Sequence, residues 1–252
     1  MSLKPAKSLE PALWVKPSTQ NFAKDVLSLV PGNFEAYIRI LHPAYQVTGS
    51  EENQITLRWS EVAERKNRVA HRLMQWHNIR ADEPTVYDYT SLKPDDVWLR
   101  NPKEDSPPSK DANVLAKLLT PHTKTPQDCF FAVWEGYTGC LGEPITGAPT
   151  FDMPNRTYYL LEGPVTKAHE SICTGYIDNT SDALHQGPNL WWPIDHAWFV
   201  YSAVDFNSTY VGVSVEGAES ILLSEELEAY LVEPTDSIMY DSDTINPSGV
   251  RD

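Results

Sequence analysis

The chain of 252 residues is 41% hydrophobic and carries 20 Lys and Arg against 35 Asp and Glu, a formal charge of −15. Its length and apolar content suffice for a core, while its charge repels a phosphate backbone and excludes nucleic acid as a direct partner. No apolar run reaches the ~20 residues a bilayer span needs, and three cysteines without a CxxC pair exclude a disulfide framework or zinc site and predict free thiols in a reducing cytoplasm.

In chain order, residues 1–20 are interrupted by Pro5, Pro11 and Pro17 and read as an extended arm with no apolar run of signal-peptide length. "NFAKDVLSLV" spaces Phe22, Val26 and Leu29 for a short amphipathic helix, stopped by Pro31 and Gly32. "FEAYIRIL" alternates as a strand up to His42-Pro43, and "ITLRW" repeats the alternation with Ile55, Leu57 and Trp59. Ser60 suits the N-cap of a helix through "EVAERKNRVAHRL". Its basic residues are interleaved with Glu61 and Glu64 and read as a solvated face. From Asp82 to Ser109 the chain is rich in Pro, Asp and Lys, and "NPKEDSPPSKD" predicts an exposed loop.

"DANVLAKLLTP" predicts a helix capped by Asp111 and stopped by Pro121. In "DCFFAVWEGY" both alternating sets are apolar, which marks a central strand covered on both faces, and "RTYYLLEGP" reads the same way. Residues 165–186 show no period and receive no assignment. "HAWFVYSAVDF" predicts a long strand, "NST" a turn, "YVGVSV" a return strand and "GAESILLSEELEAYLV" a helix. Hairpin followed by helix favours the α+β class: one domain over 21–233, with a largely antiparallel sheet and helices packed on it. The acidic segment 234–252 predicts a disordered tail.

The chain has no GxSxG, GxxxxGK[ST] or HExxH, so neither cofactor nor metal is expected, and Gly136, Gly139 and Gly142 read as turn residues. What remains is an aromatic and carboxylate constellation around "NLWWPIDHAWFV". Pro193 keeps Trp191 and Trp192 extended with rings on opposite sides, so one is expected to retain an accessible edge, whereas Trp198 belongs to the core. Trp134 and Glu135 end the central strand, Arg156 opens the next, and Asp205 lies at the far end of the hairpin strand. Asp195 and His196 are neighbours that a regular strand would point apart. These eight residues are the binding candidates. With the acidic charge, they suit capture of a basic protein by an immunity- or antitoxin-like module. The alternative is a hydrolase or carbohydrate-binding cleft using Glu135, Asp195 or Asp205 as acids and Trp134 or Trp191 as platform, which needs two carboxyls roughly 5 to 10 Å apart.

The run Asn-Leu-Trp-Trp-Pro, an acid, Ala-Trp, then Asp205 and Thr-Tyr-Val-Gly, with "FEAYIRILHPAY" and "FFAVWEG" upstream, resembles a family of bacterial hypothetical proteins. Such runs carry arginine where this chain has His196. The resemblance extends to about Glu233 and implies a shared fold without an activity.

Overall fold

The computed structural model describes residues 3–15, 24–80, 97–137, 140–142, 145–154, 156–173 and 185–246. In chain order the strands are β1 (Lys4–Pro5), β2 (Ala36–Leu41), β3 (Ala44–Thr48), β4 (Ser50–Leu57), β5 (Val97–Arg100), β6 (Cys129–Trp134), β7 (Thr150–Met153), β8 (Arg156–Gly163), β9 (Leu190–Pro193), β10 (Phe199–Ser202), β11 (Ser208–Val213) and β12 (Glu228–Val232). The helices are α1 (Trp59–Arg65), α2 (Trp76–Arg80), α3 (Ser109–Leu119) and α4 (Val215–Leu222). Among the described residues, nine strands form one antiparallel sheet in the order β1-β8-β6-β9-β10-β11-β2-β12, with β7 also on β8, and β4-β3-β5 form a second. This is the α+β class, dominated by sheet.

The large sheet is covered on both faces, which explains why its central strands are continuously apolar. Cys129, Phe131 and Val133 join Val114, Leu115, Leu119, Ala218 and Ile221 of α3 and α4 in one core. Phe130 and Ala132 point the other way, into a core closed by Ala6, Ala12, Val15, Val26, Leu29 and Val30. Residues 3–15 are therefore no loose arm: β1 pairs with β8, and three of their apolar side chains are core. A third cluster sets Trp59, Val62, Met74, Trp76 and Ile79 under Leu41 and Leu57.

Several boundaries differ from the sequence expectation, each for a local reason. Of the first helix only a 3-10 turn, Val26–Ser28, falls among the described residues, capped reciprocally by Asp25 and Ser28. α1 stops at Arg65 because Asn67 turns left-handed (φ 53). Its first amides, of Trp59 and Ser60, are satisfied by the Glu228 carboxylate of β12 rather than by a Ser60 cap. The long helix expected over 217–232 ends at Leu222, and Glu228–Val232 becomes the strand that covers the free edge of β2. β10 has only four residues, since Ala203–Phe206 turn away from the ladder. Asp105 to Pro108, expected as exposed loop, are buried.

The thiols also depart from expectation. Cys129 is free and buried, but Cys140 and Cys173 form a disulfide, so cysteine usage does not argue for a reducing compartment.

Residues 234–246, expected to be disordered, fold back along the domain. Val26 and Leu27 donate backbone hydrogen bonds to Asp236 and Pro234, and Ile238 is core. The Asp243 carboxylate then accepts from His71 Nε2 (2.9 Å), Gln75 N–H (3.2 Å) and the backbone and side chain of Asn246. Burial raises the Asp243 pKa, but the hydrogen bonds outweigh it and hold the carboxyl below its usual range. Asp243→Ala is expected to destabilise the protein by about 2 kcal/mol at neutral pH. A carboxyl depressed in the folded state loses its contribution as pH falls, so melts at pH 7 and pH 3 should show the deficit of the variant shrinking in acid.

Candidate functional site

Antiparallel pairing decides which candidates meet. β6 runs against both β8 and β9, so the Trp134 end of β6 meets the start of β8 and the residues before β9. The turn after β10 reaches the same end. Trp134, Glu135, Arg156 and Asp205 are therefore gathered, while Asp195 and His196, which follow Pro193, lie beyond the Cys129 end.

At the gathered end, Trp134 is half-buried and fixed from several directions. Its amide donates to Asn189 Oδ1 (2.9 Å). Gly136 has no room for a side chain, because a Cβ there would sit 2.2 Å from the indole. The Arg156 guanidinium stacks 4.9 Å from the ring centre, and Tyr137 meets the indole edge-on at 5.3 Å. Arg156, 14% exposed, pairs with the 74% exposed Asp205 at 2.5 Å. Glu135 is exposed, with its amide bonded to the Thr157 carbonyl. The Glu104 carboxyl is raised above its usual range by partial burial and then by the Asp205 carboxylate.

Behind this surface lies a buried network that local sequence does not reveal. Asp105 adopts a left-handed backbone (φ 79), and its amide donates to Phe206 O (2.8 Å). Its carboxylate accepts from Tyr137 Oη, Gln186 Nε2 and Asn189 Nδ2. Burial raises the Asp105 pKa against the opposing pull of Lys103 and these three donors. Tyr137 is raised by burial and by the Asp105 charge. Asn189 ties three strands together: its amide donates to Ala132 O, and its carbonyl accepts from the Ser202 amide. Below it, His42 is clamped between the Lys103 carbonyl (2.7 Å) and Thr209 Oγ1 (2.8 Å), and burial pushes its pKa down to about 3. At neutral pH this histidine is uncharged.

The tryptophan pair overturns an expectation. The rings do diverge, but neither keeps an accessible edge: Trp191 is 1% exposed in the helix-covered core, edge-on to Trp198 at 5.5 Å, and Trp192 is 0% exposed in the opposite core. Because the sheet is covered on both faces, divergence leads from one core to the other, and Trp192 Nε1 finds the Pro11 carbonyl of the N-terminal segment. Trp198 is buried, as its position beside the strand implies.

At the far end, Asp195 caps a turn, accepting from Thr123 Oγ1 (2.9 Å) and the Lys124 amide (2.7 Å). His196 is left-handed (φ 56), and its ring stacks 4.0 Å from that of Trp14. The three acids Glu135, Asp195 and Asp205 therefore share no cleft. Among the described residues no group of three His, Cys, Asp or Glu could hold a metal, and no helix is long and apolar enough to cross a membrane. Comparisons with family profiles, curated proteins and solved structures give no match for this chain.

Proposed function

We propose that the protein acts by binding rather than catalysis, and that it captures a basic protein on the Trp134 end of the large sheet, as an immunity or antitoxin module would. A cytoplasmic location is part of this proposal. The observation that carries it is the Trp134–Arg156 pair, an aromatic and a guanidinium held stacked, with Asp205 paired to the arginine, Glu104 feeling the Asp205 charge and the exposed Glu135 following Trp134 in the chain. Rigid Trp and Arg side chains lose little entropy on docking and are the usual interface anchors, while surrounding carboxylates steer a basic partner and make its capture sensitive to salt. Affinity capture from host lysate at low and high salt, run in parallel with Trp134→Ala, tests this. A basic protein retained at low salt, released at high salt and lost from the variant is expected. Recovery of no salt-sensitive partner counts against binding as the main role.

A second reading, a carbohydrate cleft, draws support from one feature: the Glu104 carboxyl feels the charge of Asp205, which is paired with the Arg156 that stacks on the Trp134 indole. It requires these two acids in place of the three expected from sequence. Quenching of tryptophan fluorescence by oligosaccharides, absent in Trp134→Ala, would favour it over protein capture.

A further inference from the structure

The disulfide joins two segments that both serve the network behind Trp134. Cys140 and Cys173 stand 33 positions apart in sequence, with Cα atoms 4.8 Å apart, within the ordinary span of such a bond. Cys140 belongs to the turn after β6, where the Tyr137 amide donates to Trp134 O (3.4 Å) and the Cys140 amide to Tyr137 O (3.2 Å). Cys173 follows Ile172, which is core and whose amide donates to Gln186 O (2.8 Å). Tyr137 Oη and Gln186 Nε2 both donate to the Asp105 carboxylate. The disulfide therefore closes a circuit from Cys140 through Tyr137, Asp105, Gln186 and Ile172 to Cys173. Trp134 adjoins this circuit, since Tyr137 meets its indole edge-on at 5.3 Å.

Among the described residues the backbones around the two cysteines meet in a single bridge, Leu141 to Cys173. The turn is otherwise held by short-range backbone bonds, and Glu135 and Gly136 at its start are exposed. Such a turn opens locally without unfolding the sheet, so a covalent restraint changes its order more than it changes the core. Cys140 and Cys173 are half-buried and, unlike the buried Cys129, lie within reach of a thiol in solution. In a cytoplasmic location a disulfide is no permanent staple but opens and closes with the thiol pool.

We infer that the Cys140–Cys173 disulfide is a reducible clasp on the Trp134 surface, which holds the Tyr137 turn and the indole in place when closed and frees them when opened. The inference rests on the reading of that surface as the working one and on its cytoplasmic setting. Opening consumes two molecules of a thiol such as glutathione. The thiolate of the first attacks one sulfur, forms a mixed disulfide and releases the other cysteine, which takes up a proton. The second attacks the glutathione sulfur of the mixed disulfide and releases the remaining cysteine, also protonated. Two electrons pass to the protein, and glutathione disulfide leaves.

The test equilibrates the full chain in glutathione buffers from oxidised to reduced, quenches with acid, then denatures, alkylates and weighs the protein. One adduct, on Cys129, is expected in oxidising buffers and three in reducing ones, with the change falling inside the glutathione range. Hydrogen exchange over 134–141 should be several-fold faster in the reduced protein and unchanged over β10. Cys140→Ser and Cys173→Ser should exchange like the reduced parent, with or without glutathione. Three adducts in every buffer would overturn the inference, because no clasp forms. One adduct in every buffer would overturn it as well, leaving a permanent staple. Equal exchange over 134–141 in both states of the parent would show that the bond does not hold the surface. None of these readouts uses a partner, so a failed capture from lysate leaves them standing.

Discussion

Trp191→Ala and Trp192→Ala are each expected to destabilise the protein by about 3 to 5 kcal/mol, as much as Trp198→Ala. Each ring lies in a different packed layer. Trp191 and Trp198 meet edge to face in the core under α3 and α4, and Trp192 is packed by Phe130, Phe199 and Trp14 on the other side of the sheet. Alanine would leave a cavity in either core, and at Trp192 it would also orphan the Pro11 carbonyl. A loss of this size is a large share of a domain's stability. Urea denaturation of the three variants checks the expectation. A variant of Trp191 or Trp192 with an unchanged midpoint would mean that its ring is solvated in solution.

Asp105→Ala is expected to cost about 3 kcal/mol or more. Removing the carboxylate leaves the Tyr137 hydroxyl proton and the Gln186 amide without this acceptor, at about 1 to 3 kcal/mol each where they cannot turn to water, and takes one of several partners from Asn189 Nδ2, which keeps Tyr137 Oη (2.9 Å). Alanine also fits the left-handed backbone at this position less well than aspartate does. Asp105→Asn tolerates that backbone and retains one carbonyl acceptor, so a smaller loss is expected. The two variants also separate in pH dependence. A carboxyl raised in the folded state opposes folding once it ionises, so the parent should lose stability as pH rises from the usual carboxylate value through the raised one, and Asp105→Asn should lack this decline. Urea titrations at pH 4 and pH 7 read both effects. An Asp105→Ala variant within 1 kcal/mol of the parent would remove the network from any account of what holds the Trp134 end.

What was legible in the sequence follows from how locally it is encoded. The two-sided strand around Phe130 and Phe131 is visible because every residue is apolar, and the β10–β11 hairpin because a polar "NST" interrupts two apolar runs, although the chain turns earlier, at Ala203–Phe206, and Ser208 and Thr209 already belong to β11. The convergence of Trp134, Arg156 and Asp205 follows from strand directions alone. By contrast, "LEAYLV" has the composition of a helix end, and only the unpaired edge of β2 makes it a strand. Asp105 and Ser106 sit in a Pro- and Lys-rich stretch whose polarity predicts exposure, yet their partners, Tyr137, Gln186, Gly187 and Asn189, come from distant parts of the chain. Asn189 did carry a faint signal, a polar amide directly before a wholly apolar strand. The tail hides its order for a similar reason, since Asp243 and Asn246 look like solvent-seeking residues until His71 and Gln75 are brought to them.

The position of β2 has a consequence for how the chain acquires its shape. Both neighbours of this strand are made long after it: Leu41 waits for Ser208 on one side and Glu228 on the other. During synthesis, Ile38 and Ile40 therefore have no ladder to join until β11 has emerged. Native contacts between such distant segments make for slow, late-closing folding, with a sticky strand exposed in the meantime. Growing chains that end before Ser208 should accordingly engage chaperones or aggregate through β2, and release of the strand should coincide with the arrival of β11.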